Sequence, residues 1–161
     1  MRDSLHVSVI GAGRATAELY AVAEEVGRLV AEAGAVLVCG GLSGVMAAAA
    51  RGAREAGGHT VGILPGHDRS EANKYIDCVI ATGMGHGRNL AVVSTGDVVI
   101  AVGGAYGTLS EIGLARAIGR PVVLLDSWRL QHDDGIDGVF YATTPHQAIT
   151  LALEALGSLR G

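Results

Sequence analysis

A single lysine, Lys74, serves the whole 161-residue chain, and it stands in a polar stretch away from any glycine turn. That scarcity excludes two chemistries. No Gly-Lys-Ser/Thr phosphate loop can be written, and a pyridoxal phosphate Schiff base would have to use that one distant amine. Charge is thin throughout, with 17% Asp, Glu, Lys and Arg and a net charge of −4, so a nucleic-acid backbone is not an expected partner. The two cysteines, Cys39 and Cys78, lie in or beside expected strands, with no Cys-x-x-Cys or His-x-x-x-His spacing anywhere. They read as small apolar core residues in a reducing compartment, and no metal site is expected. No apolar run approaches the roughly 18–20 residues of a membrane span. Met1 to Ser4 lead straight into a strand pattern and leave no room for a leader, so the expected location is the cytoplasm.

What the chain has in quantity is glycine, 25 residues, and apolar side chains, 49%. Strand and helix patterns alternate along a single domain, residues 1–161, with no internal repeat or linker. Strands are expected at Leu5–Ile10, Ala35–Cys39, His59–Leu64, Tyr75–Ala81, Asp97–Val102, Pro121–Leu125 and Val139–Ala142. Helices are expected over Thr16–Ala33, Ser43–Ala56, a segment opening near Arg88, Thr108–Ile118, and from Thr144-Pro145 to the C-terminus. His67–Lys74 reads as an exposed loop or short helix, and Trp128–Gly138 as a loop. This alternation is that of an α/β fold: a doubly wound parallel sheet, Rossmann-like, in three α/β/α layers. Its ligands belong at the C-terminal ends of the strands, where four glycine-rich turns fall.

The segment Thr82–Glu111 concentrates the chemistry. Asp97–Val102 is almost wholly apolar and β-branched, as a parallel strand covered on both faces should be. It empties into Gly103-Gly104-Ala105-Tyr106-Gly107 and opens a helix at Thr108. Backbone N–H groups and the helix dipole then converge on one spot, which is an anion site. Another glycine loop, Gly83-Met84-Gly85-His86-Gly87, precedes Arg88 and Asn89 at the start of the preceding helix. The two loops are expected on neighbouring strands, one bringing a guanidinium and the other a carboxylate. Glu111 has a bland alternative, since Thr108-x-x-Glu111 is a capping box. Arg88 opposes the dipole of its own helix, at about 0.3–1 kcal/mol, unless an anion compensates. That anion is Glu111, as a plain ion pair, or a ligand, and the two readings can hold together. Ser43 and Asn89 are helix-start residues or ligand donors, and His86 is more simply a polar loop residue than a catalyst.

A nicotinamide dinucleotide is not expected. Gly11-x-Gly13 is followed by Thr16 where the fingerprint needs its third glycine. Val38 to Gly41 stand where an acidic residue should hold the ribose.

Gly104-Ala105-Tyr106-Gly107-Thr108-Leu109-Ser110-Glu111 resembles the Pro-Gly-Gly-x-Gly-Thr-x-x-Glu signature of the "lonely guy" (LOG) family, formerly labelled "possible lysine decarboxylase". Arg88, 23 residues before Glu111, fits the place of that family's upstream arginine, and Gly40-Gly41-Leu42-Ser43-Gly44-Val45-Met46 resembles its second glycine loop. The likeness spans most of the chain. Gly103 and Ala105 replace the signature's proline and second glycine, Asn89 stands in place of a lysine, and Ser94 in place of a second arginine. That wording is closer to a shorter sister group that includes molybdenum cofactor carrier-like proteins. The resemblance implies a nucleoside 5′-monophosphate phosphoribohydrolase without cofactor, or else a non-catalytic carrier or sensor of a phosphorylated pterin or nucleotide. In the enzyme, Glu111 and Arg88 would be catalytic. Gly103, Gly104, Ala105, Tyr106, Gly107 and Thr108 would hold the phosphate, and Gly41, Ser43, Gly44, Met84 and Asn89 would line the pocket. A homodimer or higher homo-oligomer is expected as well. Leu90–Val93 is uninterruptedly apolar, and Ile112, Leu114, Ala115 and Ile118 leave little of the next helix polar.

Overall fold

The computed structural model describes residues 4–160 and consists of one seven-stranded sheet with helices on both faces. In chain order the elements are β1 (His6–Gly11), α1 (Ala17–Glu32), β2 (Val36–Cys39), α2 (Val45–Glu55), β3 (Thr60–Leu64), β4 (Cys78–Ala81), α3 (Arg88–Thr95), β5 (Val98–Val102), α4 (Tyr106–Ala117), β6 (Val122–Leu125), β7 (Val139–Ala142) and α5 (Pro145–Arg160). Single 3₁₀ turns at Arg69–Glu71 and Gly85–Gly87 interrupt two of the connections. The strand order is β4-β3-β2-β1-β5-β6-β7, and every neighbouring pair is parallel. The chain walks outward from β1 to the β4 edge, then returns to lay β5 against the other side of β1. The crevice between the ends of β1 and β5 is therefore the switch point at which α/β sheets of this kind take ligands.

Local chemistry accounts for the helix ends. Thr16 caps α1 by accepting a hydrogen bond from the Leu19 N–H at 3.2 Å, and Gly34, at φ +74°, ends it. Thr144 accepts from the Gln147 N–H at 3.1 Å, and Pro145 takes the first position of α5. Helices α1, α2 and α5 cover one face of the sheet, and α3 and α4 the other. The central strand β5 is buried at all five positions.

Three expectations change. Cys39 is buried, but Cys78 is exposed, because β4 is an edge strand whose side chains are covered on one side only. The fourth strand begins at Cys78 and not at Tyr75. Thr60 Oγ1 instead donates to the Tyr75 carbonyl at 2.7 Å, and Asp77 accepts from the Thr60 N–H at 3.1 Å. Finally, β4 and β5 are not neighbours, since three strands separate them. Helix α3 crosses the sheet from one to the other, packing over β3, β2 and β1.

The alanine-rich α2 lies unusually close to α1. A methyl group on Gly27 would meet the Ala49 backbone, with its Cα at 2.9 Å, and one on Gly52 would meet the Glu24 carbonyl, with its C atom at 2.8 Å. Gly27→Ala or Gly52→Ala should therefore destabilise by about 1–3 kcal/mol through forced separation of the helices. Gly113→Ala, with nothing near its added methyl group, should stabilise by about 0.5–1 kcal/mol. Chemical denaturation of the three variants checks this contrast.

Candidate functional site

The turn after β1, Gly11-Ala12-Gly13, forms the floor of a cavity of about 220 Å³ at the switch point. The loop after β2 is fastened to it from behind. Ser43 Oγ donates to the Gly13 carbonyl at 2.8 Å, and the Val45 N–H donates to the Ala12 carbonyl at 3.0 Å. Gly44, at φ +68°, presses on Gly13 so closely that any side chain would collide with it. The loop is held in turn by Asn73, whose Nδ2 donates to the Leu42 carbonyl at 2.7 Å. Gly41, Ser43 and Gly44 thus support the cavity from outside and do not line it; Gly40 and Met46 of the same segment do.

Arg88 reaches the cavity because α3 is pinned over the middle of the sheet. Ser8 Oγ of β1 donates to the Val92 carbonyl at 2.6 Å, and Arg120 Nη2 donates to the Ser94 carbonyl at 3.0 Å. This places the first residue of α3 over the end of β2. A Cβ on Gly40 would collide with the Arg88 guanidinium and stand 2.7 Å from Met46 Sδ. Glycine at position 40 is therefore a condition for the arginine to lie there. Arg88 Nε is buried with no hydrogen-bond partner.

Glu111 comes from α4, which packs beside α3 on the same face of the sheet. Helix α4 begins at Tyr106 with Ala105 as its cap residue and no side-chain capping bond. Thr108 is consequently the third residue of the helix and Glu111 the sixth, so the capping box does not form. The glycine turn is already helical by Tyr106, which moves Glu111 one turn inward from the position the motif requires. Its side chain is buried, 8% exposed. Burial pushes the Glu111 carboxyl up to about 7, partly offset by the attraction of Arg88. Burial likewise works against the Arg88 charge, while Glu111 and Cys39 sustain it. Yet no salt bridge joins Arg88 to Glu111 among the described residues, which corrects the plain ion-pair alternative. Both groups line the same cavity and each senses the other's charge across it.

A family model described as the SLOG cluster4 family matches residues 4–149. The chain belongs to that family. Its fold agrees with this at full length. The molybdenum cofactor binding protein of Rippkaea orientalis superposes with a TM-score of 0.88 at 36% identity, covering 96% of this chain and 98% of that one. The molybdenum cofactor carrier protein of Chlamydomonas reinhardtii gives a TM-score of 0.86 at 34% identity, covering 96% and 99%. In sequence, a cytokinin riboside 5′-monophosphate phosphoribohydrolase of Mycobacterium tuberculosis is 35% identical over 129 residues, 74% of this chain and 68% of that protein.

Of the residues singled out in the sequence, Arg88, Asn89, Ala105, Gly107, Thr108 and Glu111 meet at the cavity. Gly103, Gly104, Met84 and Tyr106 do not line it. Gly103 and Gly104, at φ +59° and +110°, shape the turn, and a Cβ on Gly104 would strike the Thr108 side chain at 2.5 Å. Met84 and Tyr106 stand outside and are 61% and 80% exposed. The cavity is also lined by Val9, Ile10, the Gly11–Gly13 turn, Gly40, Met46 and His86. The Gly11–Gly13 turn lacks the dinucleotide fingerprint, yet its place at the end of the first strand is a sufficient signal. His86 reads as a plain loop residue, and Gly40 and Met46 stand in the second glycine loop of the family resemblance, where the sequence points to Gly41, Ser43 and Gly44 instead.

The carboxyl at about 7 has a consequence for stability. Between about pH 4.5 and 7 the folded state holds a proton at Glu111 that the unfolded chain has released, so stability falls as pH rises through this window. The swing is on the order of 3 kcal/mol. Glu111→Gln removes the titration. We expect it to match the wild type near pH 4.5 and to be the more stable protein at pH 8, as denaturation at the two pH values will show.

Proposed function

We propose that this protein hydrolyses the N-glycosidic bond of a nucleoside 5′-monophosphate, releasing the base and ribose 5-phosphate. The observation that carries the reading is the pair Arg88 and Glu111, opposite in charge, lining one cavity beside the first turn of α4 without a salt bridge between them. The first amides of α4 have no side-chain cap, which suits them to the 5′-phosphate. As the C1′–N bond breaks, its electron pair leaves with the base, which takes up a proton, and positive charge develops on the sugar. Glu111 as a carboxylate stabilises that charge and accepts a proton from the water that adds to C1′. Arg88 orients the sugar and keeps the carboxyl titrating near neutrality. Such assistance is worth about 10²–10⁴-fold in rate, or about 3–5 kcal/mol.

A second reading has its own support. The carrier and binding proteins of Chlamydomonas and Rippkaea match along nearly the whole chain, further than the phosphoribohydrolase does. Asn89 and Ser94 also replace two cations that the hydrolase resemblance would place there. On that reading the same cavity holds a phosphorylated pterin or nucleotide without chemistry.

Incubation with AMP separates the two. Adenine and ribose 5-phosphate should appear, with kcat/KM rising as pH passes about 7, because the ionised carboxyl is the working form. Glu111→Gln should lower kcat by about 10²–10⁴-fold with AMP binding retained. AMP bound but never cleaved would decide for the carrier.

The protein is proposed to work as a homodimer in the cytoplasm. Leu90 on α3, Ile118 at the end of α4 and Tyr106 at the start of α4 are 44%, 41% and 80% exposed. Val92, Val93 and Ile112 are buried in the protein's own core, so the excess apolar surface is smaller than the sequence suggests. Light scattering should give twice the 16.3 kDa chain mass, and a mass near that of one chain would refute the dimer.

A further inference from the structure

The loop after β6 touches the glycine turn on the side away from the cavity. Asp126, which closes β6, is the only residue other than glycine with positive φ among the described residues, at +49°. Its left-handed conformation turns the chain sharply, and the next two side chains reach back to the turn before α4. Ser127 Oγ donates to the Gly103 carbonyl at 2.5 Å. Trp128 Nε1 donates to the Ala105 carbonyl at 3.0 Å, and its ring lies 5.6 Å from that of Tyr106. The Gly103 N–H also donates to the Leu125 carbonyl at 3.0 Å. None of Ser127, Trp128 and Tyr106 lines the cavity.

In a trans peptide the carbonyl and the following N–H point in opposite directions. Holding the Gly103 and Ala105 carbonyls toward the loop therefore aims the Gly104 and Tyr106 amides away from it; neither residue lines the cavity itself, but their chain neighbours Ala105 and Gly107 do. Glycine at 103 and 104 leaves the Gly103–Gly104 peptide plane without steric guidance from a Cβ, so the Ser127 hold acts on a free plane, while Trp128 reinforces an Ala105 carbonyl that also accepts the Leu109 N–H at 3.0 Å. We propose that Ser127 and Trp128 are positioning residues that set the amides of the glycine turn for a phosphate-bearing ligand. The idea rests on the phosphate assignment made above, but not on catalysis.

The test uses the intact protein with AMP, inorganic phosphate and adenosine as probes, read by calorimetry. Ser127→Ala and Trp128→Phe should each weaken AMP and phosphate by about tenfold, the worth of one oriented hydrogen bond, and leave adenosine affinity and thermal stability within error. Ser127→Thr, which keeps the hydroxyl, should restore AMP binding. Trp128 is the sole tryptophan. Its emission in the wild type should change on addition of AMP or phosphate but not adenosine. Wild-type affinity for AMP in both variants would overturn the proposal, as would equal losses for AMP and adenosine or a wild type that binds no phosphate-bearing probe. The hydrolase reading fails separately, through absence of adenine release from a wild type that binds AMP.

Discussion

A guanidinium and a carboxyl share one cavity and do not pair, and the rest of the site is arranged around that constraint. Taking either group from water is expensive, on the order of several kcal/mol per ion in a protein interior. Direct contact would offset part of that penalty. Here Arg88 lies in the gap that Gly40 leaves, and Glu111 stands within the second turn of α4. The carboxyl responds by holding its proton to about pH 7. Such a group suits acid–base work near neutrality, and the same burial makes it a burden to the fold once ionised.

Keeping the two apart requires support from most of the sheet. Ser8 at the centre of β1 and Arg120 beyond α4 hold α3 so that Arg88 sits over β2 and not over β4, where the chain enters. Asn73 and Ser43 fasten the second glycine loop, which in turn carries Gly40. The loop after β6 fastens the turn after β5. The glycine-rich turns thus divide the labour: those after β1 and β5 face the cavity, and the one after β2 braces and makes room.

Much of this was legible in the sequence, because it is written locally. Alternation of apolar strands with helical patterns, and glycine turns at the strand ends, lead directly to the doubly wound sheet. Thr16, Gly34 and Thr144-Pro145 mark helix ends by chemistry that acts within four residues. What could not be read depends on strand order. Arg88 and Glu111 looked like gifts of neighbouring strands, yet β4 is at the edge and β5 beside β1. The capping box failed for a related reason. Thr108-x-x-Glu111 satisfies its spacing, but the helix starts earlier, and only the conformation of Gly103 and Gly104 decides where it starts. Gly40 is visible as part of a glycine loop, but its role, to be empty beside an arginine 48 positions away, has no local mark.

The separated charge pair can be tested without any ligand by following the Glu111 carboxyl directly, through carbon-detected NMR of ¹³C-labelled glutamate assigned with Glu111→Gln. Titration is predicted near pH 7 in the wild type, and higher in Arg88→Ala, where the one attraction that lowers it has been removed. A midpoint near 4.5 that Arg88→Ala leaves unmoved would contradict the account, since it would mean that the carboxyl is solvated and that the two groups do not share a cavity.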